Sequence, residues 1–264
     1  MMTPIALTIA GSDSGGGAGI QADLKTFQRF GIFGTSAITA ITAQNTRGVS
    51  RWEALSPDLV RAQIDSVVED LVPSAFKTGM LANAGIASSV AAAIRDHSLQ
   101  NYVLDPVMVA TSGDVLFERD TIDVIRRDLI PQASLVTPNL HEAAILTGEE
   151  IVDEDAMSHA AETLVKDMGA QAVLIKGGHL DSGDRVVDIL YDGDLRAFRG
   201  RRLDTTSTHG TGCTLSAAIT AQLAKGESLH AAVRRSIDYV HNAIASAPGL
   251  GSGRGPLNHL ADDS

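Results

Sequence analysis

The segment Ile5-Ala-Leu-Thr-Ile-Ala-Gly-Ser-Asp-Ser-Gly-Gly-Gly-Ala-Gly-Ile20 joins an apolar run, a glycine-rich loop and the start of a helical pattern. The apolar run at residues 5–10 predicts a buried strand. The pattern of residues 20–30 predicts a helix that ends at Gly31. A strand that leads through a glycine loop into a helix is typical of α/β folds that bind nucleotides, so the two standard phosphate-binding motifs have to be tested.

The glycine loop fits neither motif. The dinucleotide pattern G-x-G-x-x-G, started at Gly15, requires a third glycine where the chain has Ile20. The P-loop pattern, started at Gly11, requires a lysine where the chain has Gly17. Because so many adjacent glycines are entropically costly for a simple turn, we interpret the loop as backbone that a small ligand approaches closely. A flexible turn is the alternative.

A second glycine-bearing segment, Asp204-Thr-Thr-Ser-Thr-His-Gly-Thr-Gly-Cys213, precedes a long helical pattern at residues 214–225. The first N–H groups of a helix lack internal partners, and the helix dipole places partial positive charge there. Gly210 and Gly212 can adopt positive φ, so their N–H groups can converge on one anion. We therefore predict that a transferring phosphoryl group binds here; an ordinary loop with a threonine N-cap is the alternative.

Cys213 is the single cysteine of the chain and ends this segment. The first turn of a helix can lower a thiol pKa from about 8.5 to roughly 3.5–7.5. A thiolate there could accept a proton from an attacking alcohol, whereas a buried small hydrophobic residue is the commoner role of a lone cysteine. A Cys–His hydrolase built on Cys213 and His209 is the weakest reading, because the sequence shows no suitably placed orienting acid.

Composition narrows the possible classes of protein. The 264 residues are 44% hydrophobic and 20% charged, which is ordinary for a globular protein. The net charge of −11 disfavours nucleic acid and anionic membranes as partners. One cysteine excludes internal disulfides and fits a reducing compartment. The N-terminal apolar run lacks basic residues and is broken by Asp13, so we predict no signal peptide, no membrane span and a cytoplasmic location.

Strands and helices alternate along the rest of the chain. Further strands are predicted at residues 35–42, 75–78, 102–105, 135–137 and 172–176, with helices at 57–71, 84–96, 119–129, 139–148, 154–168 and 229–247. Ser56, Asn83 and Asp153 are the predicted N-caps of three of these helices. Asp192-Gly193 predicts a hairpin. The predicted fold class is α/β, with a mostly parallel central sheet, helices on both faces and a small antiparallel hairpin. We predict one domain over residues 1–264, with a glycine-rich tail at 248–264 that is loose except where another part of the molecule holds it.

Six residues lie at or just past the ends of predicted strands: Gly11, Gln44, Met80, Asp105, Asn139 and Lys176. Ligands of open parallel sheets bind at the carboxyl ends of the strands, so we expect these residues to meet at one edge. The Gln44 amide could pair with a ring nitrogen and an exocyclic amine of a heterocycle, although most loop glutamines are simply solvated.

Asp105, Asn139 and Glu142 form a plausible Mg²⁺ site, because Mg²⁺ needs only one or two carboxylates beside water and phosphate oxygens. Asn139 followed three residues later by Glu142 also predicts a helix capping box, and both roles can hold together. Lys176 could neutralise a nucleotide phosphate or be a solvated lysine. Asp23, in the first turns of the first helix, is a surface acid or a ligand to a substrate hydroxyl.

These motifs together resemble those of the hydroxymethylpyrimidine/phosphomethylpyrimidine kinases of thiamine biosynthesis, in the ribokinase-like superfamily. The resemblance covers essentially the full length. It is carried by Ala10-Gly-Ser-Asp-Ser-Gly-Gly-Gly-Ala-Gly-Ile-Gln-Ala-Asp-Leu-Lys25, Thr42-Ala-Gln-Asn45, Lys77-Thr-Gly-Met80, Leu104-Asp-Pro-Val-Met108, Thr137-Pro-Asn-Leu-His-Glu142, Ile175-Lys-Gly-Gly-His179, His209-Gly-Thr-Gly-Cys213 and Gly253-Arg-Gly-Pro-Leu-Asn-His259.

The resemblance implies a ribokinase-like fold, a homodimer, and MgATP-dependent phosphorylation of hydroxymethylpyrimidine and then of its monophosphate. The implied substrate pocket consists of Gln44, which reads the aminopyrimidine edge, with Gly11, Asp23, Met80 and Val107. Asp105, Asn139 and Glu142 are implied to organise Mg²⁺ and phosphate. The implied nucleotide contacts are Lys176, Thr208, His209, Gly210 and Gly212. The implied anion hole consists of Gly210, Thr211, Gly212 and Cys213.

Two rival functions stay open. A pyridoxal kinase of the same subfamily is the closest, although Gln44 favours the pyrimidine because pyridoxal has no exocyclic amine. A non-catalytic pyrimidine-binding protein with a relict kinase fold is a rival of another class, and the presence of Asp105, Glu142 and Lys176 argues against it. Many ribokinase-like enzymes carry an aspartate base where this chain has Cys213, so the identity of the base stays open.

Overall fold

A single sheet with the strand order β3-β2-β1-β4-β5-β6-β7-β8-β9 forms the centre of the molecule. The structure, a computed structural model, describes residues 3–108, 119–178, 180 and 183–262. The strands are β1 (Ile5–Asp13), β2 (Phe33–Asn45), β3 (Gly48–Ala54), β4 (Ala75–Thr78), β5 (Tyr102–Leu104), β6 (Leu135–Val136), β7 (Val173–Ile175), β8 (Arg185–Tyr191) and β9 (Leu195–Arg201).

The helices are α1 (Gly19–Arg29), α2 (Pro57–Asp70), α3 (Ala84–Asp96), α4 (Arg119–Val124), α5 (Leu140–Thr147), α6 (Glu154–Lys166), α7 (Thr211–Ala224) and α8 (Leu229–Ala245). Ser56, Asn83 and Asp153 cap α2, α3 and α6 with side-chain oxygens that accept backbone N–H groups, as predicted. The helix predicted at residues 119–129 changes after Val124 to a π-helical turn, Ile125–Leu129.

The middle of the sheet is parallel and its two edges are antiparallel. Strands β2, β1, β4, β5, β6 and β7 form the parallel part. At one edge, β3 pairs with β2 in antiparallel fashion. At the other edge, β8 pairs with β7, and β9 pairs with β8, also in antiparallel fashion. The predicted fold class is therefore confirmed, including the hairpin β8–β9. The sequence analysis did not predict β3, whose residues are mostly half-buried or exposed and so lack an apolar pattern.

Helices cover both faces of the sheet. On one face, α2, α3, α5 and α6 contribute apolar residues such as Ile64, Ile86 and Met157 to one core cluster. On the other face, α1, α7 and α8 contribute Phe27, Ile219 and Tyr239 to a second cluster. This burial on both sides explains why the central strands are almost purely apolar. Among the described residues, no helix combines the length and the apolarity needed to cross a bilayer.

The first two strands are longer than predicted. β1 passes through an irregularity between Ala10 and Ser12 and then pairs Ser12 and Asp13 with β2. β2 extends to Asn45, so Gln44 belongs to the strand instead of following it. The backbone thus carries Asp13 and Gln44 side by side to the carboxyl edge of the sheet.

The tail is held by the rest of the molecule over residues 253–261. Leu257 and Ala261 are buried in the α1/α7/α8 layer. The tail backbone also hydrogen-bonds three distant segments: Arg254 N donates to Thr46 O at 2.8 Å, Gly255 O accepts from His209 N at 3.0 Å, and Asn258 N donates to Ala243 O at 3.0 Å. The glycine residues of the tail allow it to pass close to other backbone segments. In the sequence, the same glycine content suggests a loose tail.

Candidate active site

A cleft of about 1100 Å³ lies at the carboxyl ends of the parallel strands. All six residues expected at this edge line it: Gly11, Gln44, Met80, Asp105, Asn139 and Lys176. Of the other residues proposed for the site, Val107, Glu142, Thr208, His209, Gly210, Thr211, Gly212 and Cys213 also line it. The structure thus brings together residues from the first and the last thirds of the chain. His179, part of one quoted motif, lies outside the described residues.

The glycine loop after β1 wraps around the carboxylate of Asp13. Backbone N–H groups of Gly15, Gly17 and Ala18 donate to Asp13 at 2.7, 3.0 and 2.8 Å. His209 Nε2 lies 2.9 Å from Asp13 Oδ2. Burial raises the pKa of Asp13, but the hydrogen bonds from His209 and the loop N–H groups outweigh burial and hold it below its usual value. The loop therefore encloses an ionised carboxylate of the protein itself.

The second glycine segment meets the first. Gly210 precedes α7 in the left-handed region, with φ of 81°. A Cβ atom at this position would overlap the carbonyl oxygen of Gly17. Residues 211–213 form the first turn of α7, and a Cβ atom added to Gly212 would lie 3.2 Å from Lys176 Nζ. The start of α7, where Thr211 N donates to Thr208 O at 3.3 Å, therefore lies beside a lysine ammonium.

Charged side chains of alternating sign run beneath the cleft. Lys176 Nζ donates to Asp105 Oδ1 at 2.9 Å and lies 3.9 Å from Glu142 Oε2. Lys77 Nζ lies 4.0 Å from Asp105 Oδ2 on the other side. Burial raises the pKa of Asp105, but Lys176 and Lys77 outweigh burial and hold it below its usual value. Lys176 is thus placed between two carboxylates at the mouth of the predicted phosphate site.

Asp23 does not line the cleft, contrary to expectation. Its side chain is completely buried, accepts a hydrogen bond from Thr8 Oγ1 at 2.6 Å and lies 3.0 Å from Lys77 Nζ. Its position on α1 faces the sheet, so its oxygens serve the ion pair instead of a substrate hydroxyl. Burial lowers the pKa of Lys77, but the nearby carboxylates of Asp23 and Asp105 outweigh burial and raise it.

Cys213 also differs from expectation. The thiol lines the cleft, but protein atoms crowd it, and burial raises its pKa to about 12 even though the charge of Lys77 acts in the opposite direction. The carboxylates of Asp23 and Asp105 add to the increase. The prediction that the helix N-terminus lowers this pKa is therefore wrong: desolvation and two buried carboxylates exceed the effect of the helix dipole.

Asn139 and Glu142 form the capping box considered in the sequence analysis. Asn139 Oδ1 accepts from Glu142 N at 2.9 Å, and Glu142 Oε2 accepts from Asn139 N at 2.8 Å. Burial is the main cause that raises the pKa of Glu142 to about 7. Within the part of the chain that the structure describes, no cluster of three or more His, Cys, Asp or Glu side chains is arranged to hold a metal by itself.

The two ends of the cleft differ in character. One end is polar and contains Gln44 with His209, whose imidazole was expected to contact a nucleotide but hydrogen-bonds Asp13 beside Gln44. The other end is lined by apolar side chains of α7, α8 and β9, namely Phe198, Leu215, Ile237, Val240 and Ile244. Lys176 and the start of α7 lie among the residues that line the same cleft.

Two residues of this arrangement were not assigned a role from the sequence. Asp13 supplies the orienting acid for His209 that the sequence did not reveal, because the two residues are 196 positions apart. Lys77 appeared only within a quoted motif. A signal was available for Lys77: a lysine inside the fully buried strand β4 requires a carboxylate partner.

Comparison with known proteins agrees with this geometry. Residues 13–258 match the family model described as phosphomethylpyrimidine kinase. The chain is 52% identical over 263 residues to a hydroxymethylpyrimidine/phosphomethylpyrimidine kinase of Rhizobium meliloti, covering 98% of each chain. It is 49% identical over 257 residues to the enzyme of the same name from Bacillus subtilis, covering 97% of this chain and 94% of that one.

A solved structure shares the fold. The ADP complex of Bacillus subtilis pyridoxal kinase superposes with a TM-score of 0.90 at 39% identity, covering 98% of both chains. Two findings assign the chain to a family: the match of residues 13–258 to the family model, and two relatives that are 49% and 52% identical over nearly the full length. The chain belongs to the phosphomethylpyrimidine kinase family.

Proposed function

We propose that the protein transfers a phosphoryl group from ATP to the hydroxymethyl group of 4-amino-5-hydroxymethyl-2-methylpyrimidine, and then to the resulting monophosphate, in thiamine biosynthesis. The observation that supports this most strongly is the single cleft that contains Gln44, Lys176 and the start of α7. A heterocycle at Gln44 and a phosphate at the helix start would then share one cavity.

The polar end suits the pyrimidine. The Gln44 carboxamide offers one donor edge and one acceptor edge, which complement a ring nitrogen next to an exocyclic amine. Gly11, Met80 and Val107 line the same cleft and leave room for a flat ring. A Cβ atom at Gly11 would lie 3.1 Å from the sulfur of Met80, so glycine keeps this pocket open. The apolar end, at α7 and α8, suits a purine base.

Phosphoryl transfer needs positioning and charge neutralisation more than covalent chemistry. We propose that the backbone N–H groups of Gly210, Thr211 and Gly212 bind the transferring phosphoryl oxygens at the positive end of α7. Lys176, which lies beside Gly212, would neutralise the nucleotide phosphates. Thr208 lines the same part of the cleft and would contact the nucleotide.

Asp105 and Glu142 fit Mg²⁺ as a pair of carboxylates, with Asn139 next to them. Mg²⁺ usually takes one or two carboxylates and completes its shell with water and phosphate oxygens, so a pair is sufficient. The bound ion would supply charge neutralisation at the phosphates. The residues themselves hold Lys176 in position through the contacts of 2.9 Å to Asp105 and 3.9 Å to Glu142.

Pyridoxal is the second candidate alcohol, because a pyridoxal kinase has a TM-score of 0.90 to this chain. We expect the pyrimidine to be preferred, since its exocyclic amine pairs with Gln44. Steady-state assays with MgATP, with products identified by mass, decide between the alcohols. A higher kcat/KM for pyridoxal than for the aminopyrimidine would refute the proposed substrate, and no phosphorylated pyrimidine at all would refute the proposed reaction.

Substitution of Cys213 can show whether this residue acts as a general base or in another way. Because its pKa is raised to about 12, the thiol carries a proton in the resting enzyme and acts by contact and hydrogen bonding. We expect Cys213→Ala to lower kcat by about tenfold and to leave KM for the pyrimidine nearly unchanged, since removal of a true general base costs about 10²–10⁴-fold. A loss of about 10²-fold or more in kcat would instead show a thiolate base, and an unchanged kcat would remove Cys213 from the catalytic residues.

We further propose a homodimer in the cytoplasm. Ile41 on β2, next to the edge strand β3, is half-exposed, which suits a surface covered by a second copy. The free thiol of Cys213 suits a reducing compartment. Sedimentation equilibrium at micromolar concentration should give twice the chain mass of 27.6 kDa, and a mass equal to one chain would contradict the dimer.

A further inference from the structure

His209 and Asp13 lie directly beside the amide of Gln44. His209 Nε2 is 2.9 Å from Asp13 Oδ2 and 3.4 Å from Gln44 Nε2. On its other side, Gln44 Oε1 is 3.1 Å from the hydroxyl oxygen of Thr42. Three segments that are distant in the sequence therefore surround the one carboxamide to which we assign the recognition of the pyrimidine.

The proton on the imidazole can be located from the partners of Asp13. The Asp13 carboxylate also accepts three backbone N–H groups, from Gly15, Gly17 and Ala18. A carboxylate with three such donors is ionised and can only accept from the imidazole. His209 Nε2 is therefore an N–H group that donates to Asp13 at 2.9 Å. Gln44, at 3.4 Å from the same nitrogen, can be only the second, weaker acceptor of a three-centre hydrogen bond from this N–H.

The proton on Thr42 can be located in the same way. The Thr42 hydroxyl lies 3.0 Å from the carbonyl oxygen of Ser12, which can only accept. Since the hydroxyl has one proton, its oxygen has only lone pairs left for Gln44. If the Gln44 amide has its oxygen at Thr42 and its nitrogen at His209, two unfavourable contacts result. The amide oxygen then faces the lone pairs of the Thr42 hydroxyl, and the amide N–H groups face the N–H of His209. Exchange of the two ends gives Thr42 an N–H donor and makes Gln44 Oε1 the second, longer acceptor of the His209 N–H, which removes both repulsive contacts.

We propose that His209, anchored by Asp13, is a positioning residue that determines substrate specificity by fixing the orientation of the Gln44 amide. Gln44 Oε1 then faces His209, and Gln44 Nε2 faces Thr42. The outer edge of the amide still offers one lone pair and one N–H. The exocyclic amine of the substrate binds on the His209 side and the ring nitrogen on the Thr42 side. This inference rests on the proposed recognition of the aminopyrimidine by Gln44.

The C-terminal tail holds this arrangement in register. His209 N donates to Gly255 O at 3.0 Å, and Arg254 N donates to Thr46 O, two residues beyond Gln44, at 2.8 Å. Gly17 packs so closely on the imidazole that an added Cβ atom would lie 2.6 Å from His209 Cδ2. The ring is therefore restrained from three directions, which a residue that orients another side chain requires.

The test compares two substitutions of similar volume, His209→Leu and His209→Gln. Leucine removes the N–H donor, whereas glutamine can supply an N–H from a similar position. Each variant is assayed with the aminopyrimidine alcohol and with the analogue that lacks the exocyclic amine. We expect His209→Leu to raise KM for the aminopyrimidine about tenfold, with kcat nearly unchanged and discrimination between the two alcohols reduced about tenfold. His209→Gln should retain most of the discrimination.

A double-mutant cycle links the effect to Gln44. Gln44→Leu should abolish most of the discrimination, and His209→Leu added to it should have little further effect, because both substitutions remove one recognition unit. His159→Leu, at an exposed histidine on α6, is the matched control and should change neither constant. Thermal unfolding of each variant checks that it is folded.

The possible failures are distinguishable. Equal losses for both alcohols in His209→Leu, or full additivity with Gln44→Leu, would show a merely structural role and overturn the inference. Lost discrimination in Gln44→Leu but not in His209→Leu would overturn the inference and leave the proposed recognition intact. Unchanged discrimination in Gln44→Leu would overturn both, while phosphorylation of the pyrimidine would still identify the reaction.

Discussion

Lys77 shows how a single residue connects the core of this protein to its cleft. The side chain is completely buried on β4, with Nζ 3.0 Å from Asp23 and 4.0 Å from Asp105. Asp105 in turn accepts from Lys176, which faces the cleft. If Lys176 binds a phosphate, as we propose, Lys77 remains beside Asp105 to compensate its charge.

Substitution of Lys77 should therefore lower the stability of the folded protein strongly. We expect Lys77→Met to reduce the free energy of unfolding by about 3–5 kcal/mol, because it leaves the buried carboxylate of Asp23 without its cation and leaves Asp105 with Lys176 alone. Urea unfolding followed by circular dichroism measures the change. The double variant Lys77→Met with Asp23→Asn removes the stranded charge and should recover part of the loss. Equal stability of Lys77→Met and the wild type would contradict the assigned ion pair.

At the scale of elements, the junction of the two glycine loops sets the start of α7. Gly210 needs both a left-handed backbone and the absence of a side chain, because a Cβ atom would overlap Gly17 O. The close approach of these loops places the polar part of the cleft, at Gln44 and His209, next to the start of α7, where we propose that phosphate binds. One substitution at this junction should therefore affect stability and activity together.

Gly210→Ala and Gly226→Ala form a matched pair at opposite ends of α7. Both positions have positive φ, 81° and 84°, but a Cβ atom at Gly226 would meet nothing within 4 Å. We expect Gly226→Ala to cost only the backbone strain of about 1–2 kcal/mol, with normal kcat/KM. Gly210→Ala should cost more stability and should lower kcat/KM for ATP at least about tenfold. Equal effects of the two substitutions on activity would rule out the close contact of the loops as a functional feature.

At the scale of the whole molecule, the C-terminal tail closes the α1/α7/α8 layer. His259 is buried, with Nε2 3.2 Å from the hydroxyl of Thr214 on α7, and its carbonyl oxygen accepts from Tyr239 on α8 at 3.0 Å. Burial, with a smaller contribution from Lys25, lowers the pKa of His259 to about 4. The ring is therefore neutral in the folded protein at neutral pH.

This burial predicts a pH dependence of stability. The unfolded chain binds a proton at His259 near pH 6.5 and the folded chain only near pH 4, so the unfolded state binds more protons between these values. Stability should therefore fall as the pH decreases from about 6.5 to about 4, by about 2–3 kcal/mol from this group. Denaturant unfolding of the wild type and His259→Gln at pH 7 and pH 4 measures the difference. The same acid-induced loss in both proteins would contradict this contribution.

The sequence alone determined the order of the strands and helices other than β3, three helix caps, and the edge of the sheet at which the candidate site residues meet. These features follow from signals within a few residues, such as the cap of α3 by Asn83 and the apolar run of β1. The convergence of Gln44 and Lys176 followed from the rule that parallel strands present their carboxyl ends together.

Only the tertiary structure decided which charges pair and what state they adopt. Asp13 with His209, and Asp23 with Lys77, are separated by 196 and 54 positions, so no local pattern relates them. The raised pKa of Cys213 depends in the same way on burial and on carboxylates from other elements. Local sequence sets backbone geometry because its hydrogen bonds are short-range, whereas desolvation and ion pairing depend on packing among elements that the chain itself holds far apart.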